Sequence, residues 1–339
     1  MNQKTIVKID FVDLPRNTEK RDSVLYRWLA KRYDVRICDD PDYLLYSAFG
    51  DSHLQYDDKI KIFWTGEAIV PDFNLCDYAV GFDRIEFADR YLRWLSWGAD
   101  TMSRLCRRER SPSMAKALLA GKSKFCNYLY SSTRAHPRRS EIFNVLSGYK
   151  RLDSAGRHLN NMDRGMLADR KAKGWFEDSI QHRKAYKFSI ASENALHDGY
   201  TTEKLLASFL ADTIPIYWGN PSVGRDFNTA AMVNCHDYEN LDAVLARVRK
   251  LDEDDEKWCE VMSQPVFPDA TPMHWCDETA LDAFLSRIFE QPLESARRRG
   301  RGPWNTRYVQ QQRSAAQLRR SKTYRTIQRL RRVLGKAVD

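Results

Sequence analysis

The sequence predicts an α/β protein built from two alternating strand and helix sets, and three observations predict it. Short apolar runs of strand length alternate with amphipathic helical stretches, first ahead of residue 150 and again from residue 186. A polar stretch over 152–175, rich in Asn, Arg and Gly, separates the two sets and reads as the hinge. At 339 residues the chain is long for one core and suits about two domains.

Residues 4–12 read as the first strand, and 23–33 as an amphipathic helix with Val24, Leu25, Trp28 and Leu29 inward. Residues 34–38, 43–47, 60–64 and 78–81 read as further short strands, so a parallel sheet is expected. The first set closes with a strand at 125–130 and a helix at 139–149 that turns Ile142, Phe143 and Leu146 inward. The second set opens with a strand at 187–191. It continues with a helix at 202–211, strands at 214–218 and 231–234, and a helix at 241–251. The expected domains are 1–155, 156–292 and a basic tail at 293–339.

Composition narrows the class. With 42% hydrophobic and 12% aromatic residues the chain has enough apolar surface to fold. No apolar run approaches the roughly 20 residues of a membrane span, and the start of the sequence lacks the apolar region of a signal peptide, so a cytoplasmic protein is expected. Seven scattered cysteines without a Cys-x-x-Cys pair argue for reduced packing residues rather than a disulfide framework or zinc site. The seven histidines show no ligand spacing either.

Charge is unevenly placed. From residue 297 to 339 there are fourteen Lys and Arg against one Asp, so the rest of the chain is mildly acidic despite the overall +9. Tyr324, Ile327, Leu330, Leu334 and Val338 recur at helical spacing among these cations. The region 313–339 therefore reads either as a membrane-surface helix or as a solvated extension. Removal of 297–339 is expected to leave the activity of the remaining chain largely intact.

The most informative segment is Tyr186-Lys-Phe-Ser-Ile-Ala-Ser-Glu193-Asn194, followed by Tyr200-Thr-Thr-Glu203-Lys204 and Ile214-Pro-Ile-Tyr-Trp-Gly219. It reads as one strand, helix, strand unit with Glu193, Asn194 and Tyr200 beyond the strand ends, where ligands of open α/β sheets bind. Lys204 falls in the first helical turn, where backbone N–H groups and the helix dipole favour an anion such as a diphosphate. On spacing alone a solvated Glu-Lys pair is the competing reading.

These segments resemble the donor motif of glycosyltransferase family ten, the α1,3/4-fucosyltransferases, and most closely its bacterial members. Phe63-Trp-Thr-Gly-Glu67, Pro71-Asp-Phe-Asn-Leu75, Asp77-Tyr-Ala-Val-Gly-Phe-Asp83 and Asp89-Arg-Tyr-Leu-Arg93 extend the likeness upstream, so it spans about residues 6–289. Ser192 stands where the family has Phe, which is expected to loosen packing beneath the nucleotide, and Thr201 where it has Val.

The resemblance implies the GT-B architecture, two Rossmann-like domains facing across a cleft. It implies an inverting fucosyltransferase using GDP-β-L-fucose, with an N-acetylglucosamine-containing oligosaccharide or lipopolysaccharide as acceptor and an α1,3 or α1,4 link. Glu67 matches the catalytic carboxylate, a general base. Lys204 and Arg139, or the adjacent Arg138, are expected to hold the diphosphate, one cation from each half of the chain. Glu203 would bond the donor ribose, and Asn194 and Tyr200 the nucleotide and the phosphate next to the sugar. No metal or cofactor is required, though a non-essential divalent cation stays open. Bacterial relatives end in basic amphipathic segments, which favours peripheral contact of 313–339 with the inner membrane face.

Two other functions compete. A related transferase for another nucleotide sugar would keep the diphosphate cradle. A nucleic-acid-binding protein would use the basic tail, but the acidic body and the lack of a recognition module argue against nucleic acid. Gly121-Lys-Ser123 echoes a P-loop, yet Lys116 stands where its first glycine belongs. The acidic run from Asp252 to Glu256 reads as a solvated turn rather than a metal motif.

Overall fold

The computed structural model describes residues 4–94, 98–163, 167, 174–268 and 277–321, with 324 and 326. The first sheet holds β1 (Ile6–Val12), β2 (Asp34–Ile37), β3 (Tyr43–Tyr46), β4 (Ile60–Trp64), β5 (Tyr78–Gly81) and β6 (Tyr91–Arg93), ordered β2-β1-β3-β4-β5-β6. Its pairings from β2 through β5 are parallel. The second holds β7 (Lys124–Tyr128), β8 (Leu152–Ser154), β9 (Tyr186–Ser192), β10 (Ile214–Trp218) and β11 (Val233–Asn234), ordered β11-β10-β9-β7-β8 and parallel throughout. Both sheets thus run second, first, third, fourth, fifth strand. In this order the chain reverses direction across the sheet between its first and third strands, and ligands bind at the carboxyl ends there.

Helices fill the connections: α1 (Val24–Arg32), α2 (Gly98–Cys106), α3 (Pro112–Leu119), α4 (Arg138–Ser147), α5 (Trp175–Arg183) and α6 (Glu203–Leu210). The rest are α7 (Leu241–Glu253), α8 (Asp255–Met262), α9 (Glu278–Phe289), α10 (Leu293–Ala296) and α11 (Pro303–Arg320). Their starts follow local chemistry. The Ser23 hydroxyl accepts from Tyr26 N at 3.1 Å to cap α1, and Asn240 accepts from Ala243 N at 3.0 Å to cap α7. Helix α6 is buried from Leu205 to Leu210, which explains why its sequence is apolar almost all round. The second core packs Phe188, Ile190, Ile214 and Ile216 of the sheet against Val244, Val248 and Trp258.

The chain divides into two compact units at places the sequence did not mark. One holds the residues up to Gly81, Ile85–Leu92 and the chain from Leu281 on; the other holds Phe82–Arg84 and Arg93–Ala280. β7 and β8, placed by the sequence reading in domain 1–155, belong to the second sheet. β8 also lies inside the stretch expected to be a hinge; residues 164–166 and 168–173 of that stretch fall outside the described residues.

The basic segment is partly structural, which corrects the reading of 293–339 as one tail. Arg299, 5% exposed, bonds Asp77, which is fully buried, through Nε at 2.9 Å and through its backbone N–H at 2.9 Å. Arg298 grips Asp89, with its Nη2 at 2.6 Å. Helix α11 buries Val309 and Ala316, and its Tyr308 donates to Asp72 at 2.7 Å. Its Arg313 bonds Asp57 at 2.8 Å, and its Arg320 pairs with Asp51. Aspartates earlier in the chain thus receive four of these arginines. The apolar positions expected from Ile327 to Val338 lie outside the described residues.

Candidate functional site

The strand tips flanking the order reversal of the second sheet carry most of the predicted residues. Strand β7 runs into a loop ending at His136, whose N–H bonds Asn194 O at 2.9 Å, and α4 then starts at Arg138. Arg139 is therefore in the first turn of the helix after β7. It is 3% exposed, and its Nη2 donates to Ser192 O at 2.9 Å. The guanidinium lies 4.2 Å from the centre of the Tyr130 ring, and its buried Nε has no acceptor among the described residues.

Lys204 starts from the equivalent place after β9, in the first turn of α6. Its ammonium lies 3.1 Å from Glu193 Oε2, 2.7 Å from Thr202 Oγ1 and 3.4 Å from Glu203 Oε1. Arg139 and Lys204 thus bond consecutive residues at the tip of β9. Both belong to the second unit, which corrects the expectation that each half contributes one cation. That expectation failed because β7 reads as the end of the first set when it is an interior strand of the second sheet, between β9 and β8.

A carboxylate of the protein itself holds the residue that caps α6. Glu193, fully buried, accepts from Thr202 N at 2.8 Å through Oε1 and from the Thr202 hydroxyl at 2.7 Å through Oε2. Burial pushes its carboxyl above the ordinary range; Lys204 pulls it down and Glu203 adds to the rise. The sequence reading noted Glu193 as a strand-end residue but gave it no role.

Ser192, expected to loosen the site, is fully buried, and Tyr130 holds the main chain there: its hydroxyl accepts from Ser192 N at 2.7 Å and donates to Ile190 O at 2.8 Å. Burial pushes the Tyr130 phenol up to about 12, so it stays protonated and can donate. Tyr130 was read as an ordinary strand residue, and no sequence signal marks its bridging role.

The other residues are placed differently. Asn194 is half-buried, held through its carbonyl. Tyr200, 2% exposed, packs edge-on against Phe82 at 4.8 Å between ring centres. Glu203 is half-buried beside Lys204. Nearby, the Trp218 ring has the rings of His136 and His236 beside it, at 4.6 and 6.2 Å between centres. Burial holds the His236 imidazole below its ordinary pKa, so it is neutral and accepts from Gly219 N at 3.3 Å.

Glu67 belongs to the first unit, in the loop beyond the carboxyl end of β4, half-buried, with its N–H bonded to Thr65 Oγ1 at 2.9 Å. Asp252, assigned to a solvated turn, is 8% exposed and accepts from Tyr149 OH at 3.0 Å. Among the described residues no three His, Cys, Asp or Glu side chains are placed to hold a metal ion, and no helix is long and apolar enough to cross a membrane.

Two family descriptions match this chain: the alpha-(1,3)-fucosyltransferase FucT N-terminal domain over residues 9–99, and glycosyltransferase family 10 (fucosyltransferase) C-term over residues 119–263. The alpha-(1,3)-fucosyltransferase FucT of Helicobacter pylori is 30% identical over 268 residues, covering 69% of this chain and 54% of that protein. The chain therefore spans about half the length of that relative. A crystal structure of an α1,3-fucosyltransferase is similar with a TM-score of 0.68 and 25% identity, covering 85% of this chain and 91% of that one. Another, with GDP, is similar with a TM-score of 0.66 and 26% identity over 86% and 92% of the two chains. Both likenesses support an assignment of the two sheets to the GT-B type.

Proposed function

Since the chain belongs to glycosyltransferase family 10, the fucosyltransferases, we propose that it moves L-fucose from GDP-β-L-fucose to an N-acetylglucosamine-containing glycan. The observation that carries the reading is the pair of cations, Arg139 and Lys204, bonded to consecutive residues at the tip of β9. A diphosphate leaving group gathers negative charge as the glycosidic bond breaks, and fixed cations beside a helix start stabilise it without reorganising. Arg139 supplies a planar fork and Lys204 a point charge.

In this mechanism Glu67 takes the proton from the acceptor hydroxyl as its oxygen attacks the anomeric carbon on the face away from the diphosphate. The sugar inverts, the C–O bond to phosphate breaks, and GDP leaves with the electron pair. Glu203 bonds the ribose, while Asn194 and Tyr200 support the nucleotide and its nearer phosphate. The cations make a divalent metal dispensable. The link is α1,3 or α1,4. The acceptor is an oligosaccharide or lipopolysaccharide at the cytoplasmic face of a membrane. Since α11 is docked through Arg320, peripheral membrane contact falls to the residues beyond it.

Initial rates with GDP-fucose, GDP-mannose and UDP-galactose against one glycan acceptor test the proposal. Turnover of GDP-fucose alone is expected. Preference for another donor would replace it with a related transferase.

A further inference from the structure

We infer that Glu193 is the positioning residue that holds Lys204 ready for the diphosphate, and that residue 219 is glycine to leave Glu193 room. The inference rests on the reading of Lys204 as a diphosphate ligand. Lysine ends a flexible four-carbon stem rich in rotamers, so a lysine used as a phosphate ligand gains from being held beforehand.

Glu193 supplies that hold from below. Its backbone N–H bonds Trp218 O at 2.8 Å, which pins the residue between the tips of β9 and β10. Its carboxylate, fully buried, gathers Thr202 N, the Thr202 hydroxyl and the Lys204 ammonium within 3.1 Å. The Thr202 hydroxyl donates to Glu193 and accepts from Lys204, so the three side chains close a ring of hydrogen bonds. A buried carboxylate so enclosed has no opening toward a ligand; its influence passes through Lys204.

Gly219 is the counterpart on the neighbouring strand end. Its φ is 152°, and a Cβ there would stand 2.5 Å from Glu193 Cγ and 2.6 Å from Glu193 Cβ. Any side chain at 219 must therefore displace Glu193 and break the ring.

Calorimetric titration of GDP into the wild type, Lys204→Ala, Glu193→Gln and the double variant tests this, with thermal unfolding of each recorded in parallel. Lys204→Ala should weaken GDP binding. Glu193→Gln should weaken it about tenfold, the effect of losing a charge-assisted contact. In the double variant Glu193→Gln should add nothing, because its effect requires Lys204. A lower Tm with GDP affinity unchanged, an equal loss in both backgrounds, or tighter binding would overturn the inference and leave the diphosphate reading standing. Unchanged affinity in Lys204→Ala would instead remove that reading. Should Glu193→Gln fail to fold by circular dichroism, Gly219→Ala carries the same comparison: weaker GDP binding only when Lys204 is present supports the inference, and unchanged binding refutes it.

Discussion

Replacing Arg299 with alanine should unfold the first unit at a markedly lower temperature. Asp77 is fully buried, and Arg299 is its only side-chain cation within 4 Å among the described residues. Removing one member of a buried ion pair leaves the other charge uncompensated and costs about 3–5 kcal/mol. Asp77 would keep three backbone donors, Lys61 N at 2.8 Å and Arg298 N and Arg299 N at 2.9 Å, so the lower end, about 3 kcal/mol, is expected. The carbonyls of Asp57 and Lys59 also lose a donor. For a unit of this size such a loss lowers Tm by about 6–12 °C. Thermal unfolding followed by circular dichroism measures it. A Tm within about 2 °C of wild type would mean that the basic segment is not docked, and that 297–339 is dispensable after all.

The remaining predictions concern charge at other sites. Lys61 is fully buried, with Nζ on His53 O at 3.0 Å, and burial pushes its pKa down to about 7. Between pH 7 and 10 the unfolded chain binds the proton that the folded one has lost, so this group makes stability rise with pH. Urea unfolding at pH 7 and 9 should show that rise shrinking in Lys61→Met; an equal rise in both proteins would count against it. Glu67→Gln should leave GDP affinity within about twofold while lowering kcat by about a hundredfold or more, since a base acts on the reacting proton; near-normal kcat would exclude Glu67. Arg139→Lys keeps the charge but loses the fork, and should weaken GDP about tenfold by calorimetry. Unchanged affinity would take Arg139 out of the site.

Much of this was legible because apolar periodicity sets which face of an element is buried. The strand at Ile60–Trp64 and that at Ile214–Trp218 match the expected ranges, and the helix expected at 23–33 forms over Val24–Arg32. What was missed depends on neighbours distant in sequence. β7 is an interior strand of the second sheet because it pairs with both β8 and β9, and no local pattern reports pairing partners. The arginines of 297–320 read as part of a basic tail because the acids that receive them lie more than two hundred residues earlier, Arg299 on Asp77 and Arg320 on Asp51. At the site, the place of Lys204 in a helical first turn left a solvated pair as the competing reading, and the family resemblance made it a candidate. Glu193 was not assigned a role, because only the fold shows that its carboxylate bonds Thr202, which caps α6, and the Lys204 ammonium.

The most direct test is a crystal structure with GDP bound. The diphosphate is expected within hydrogen-bond distance of Lys204 and Arg139, at the carboxyl tips of β7 and β9. A nucleotide bound at the strand tips of the first sheet, with neither cation touching its phosphates, would contradict it.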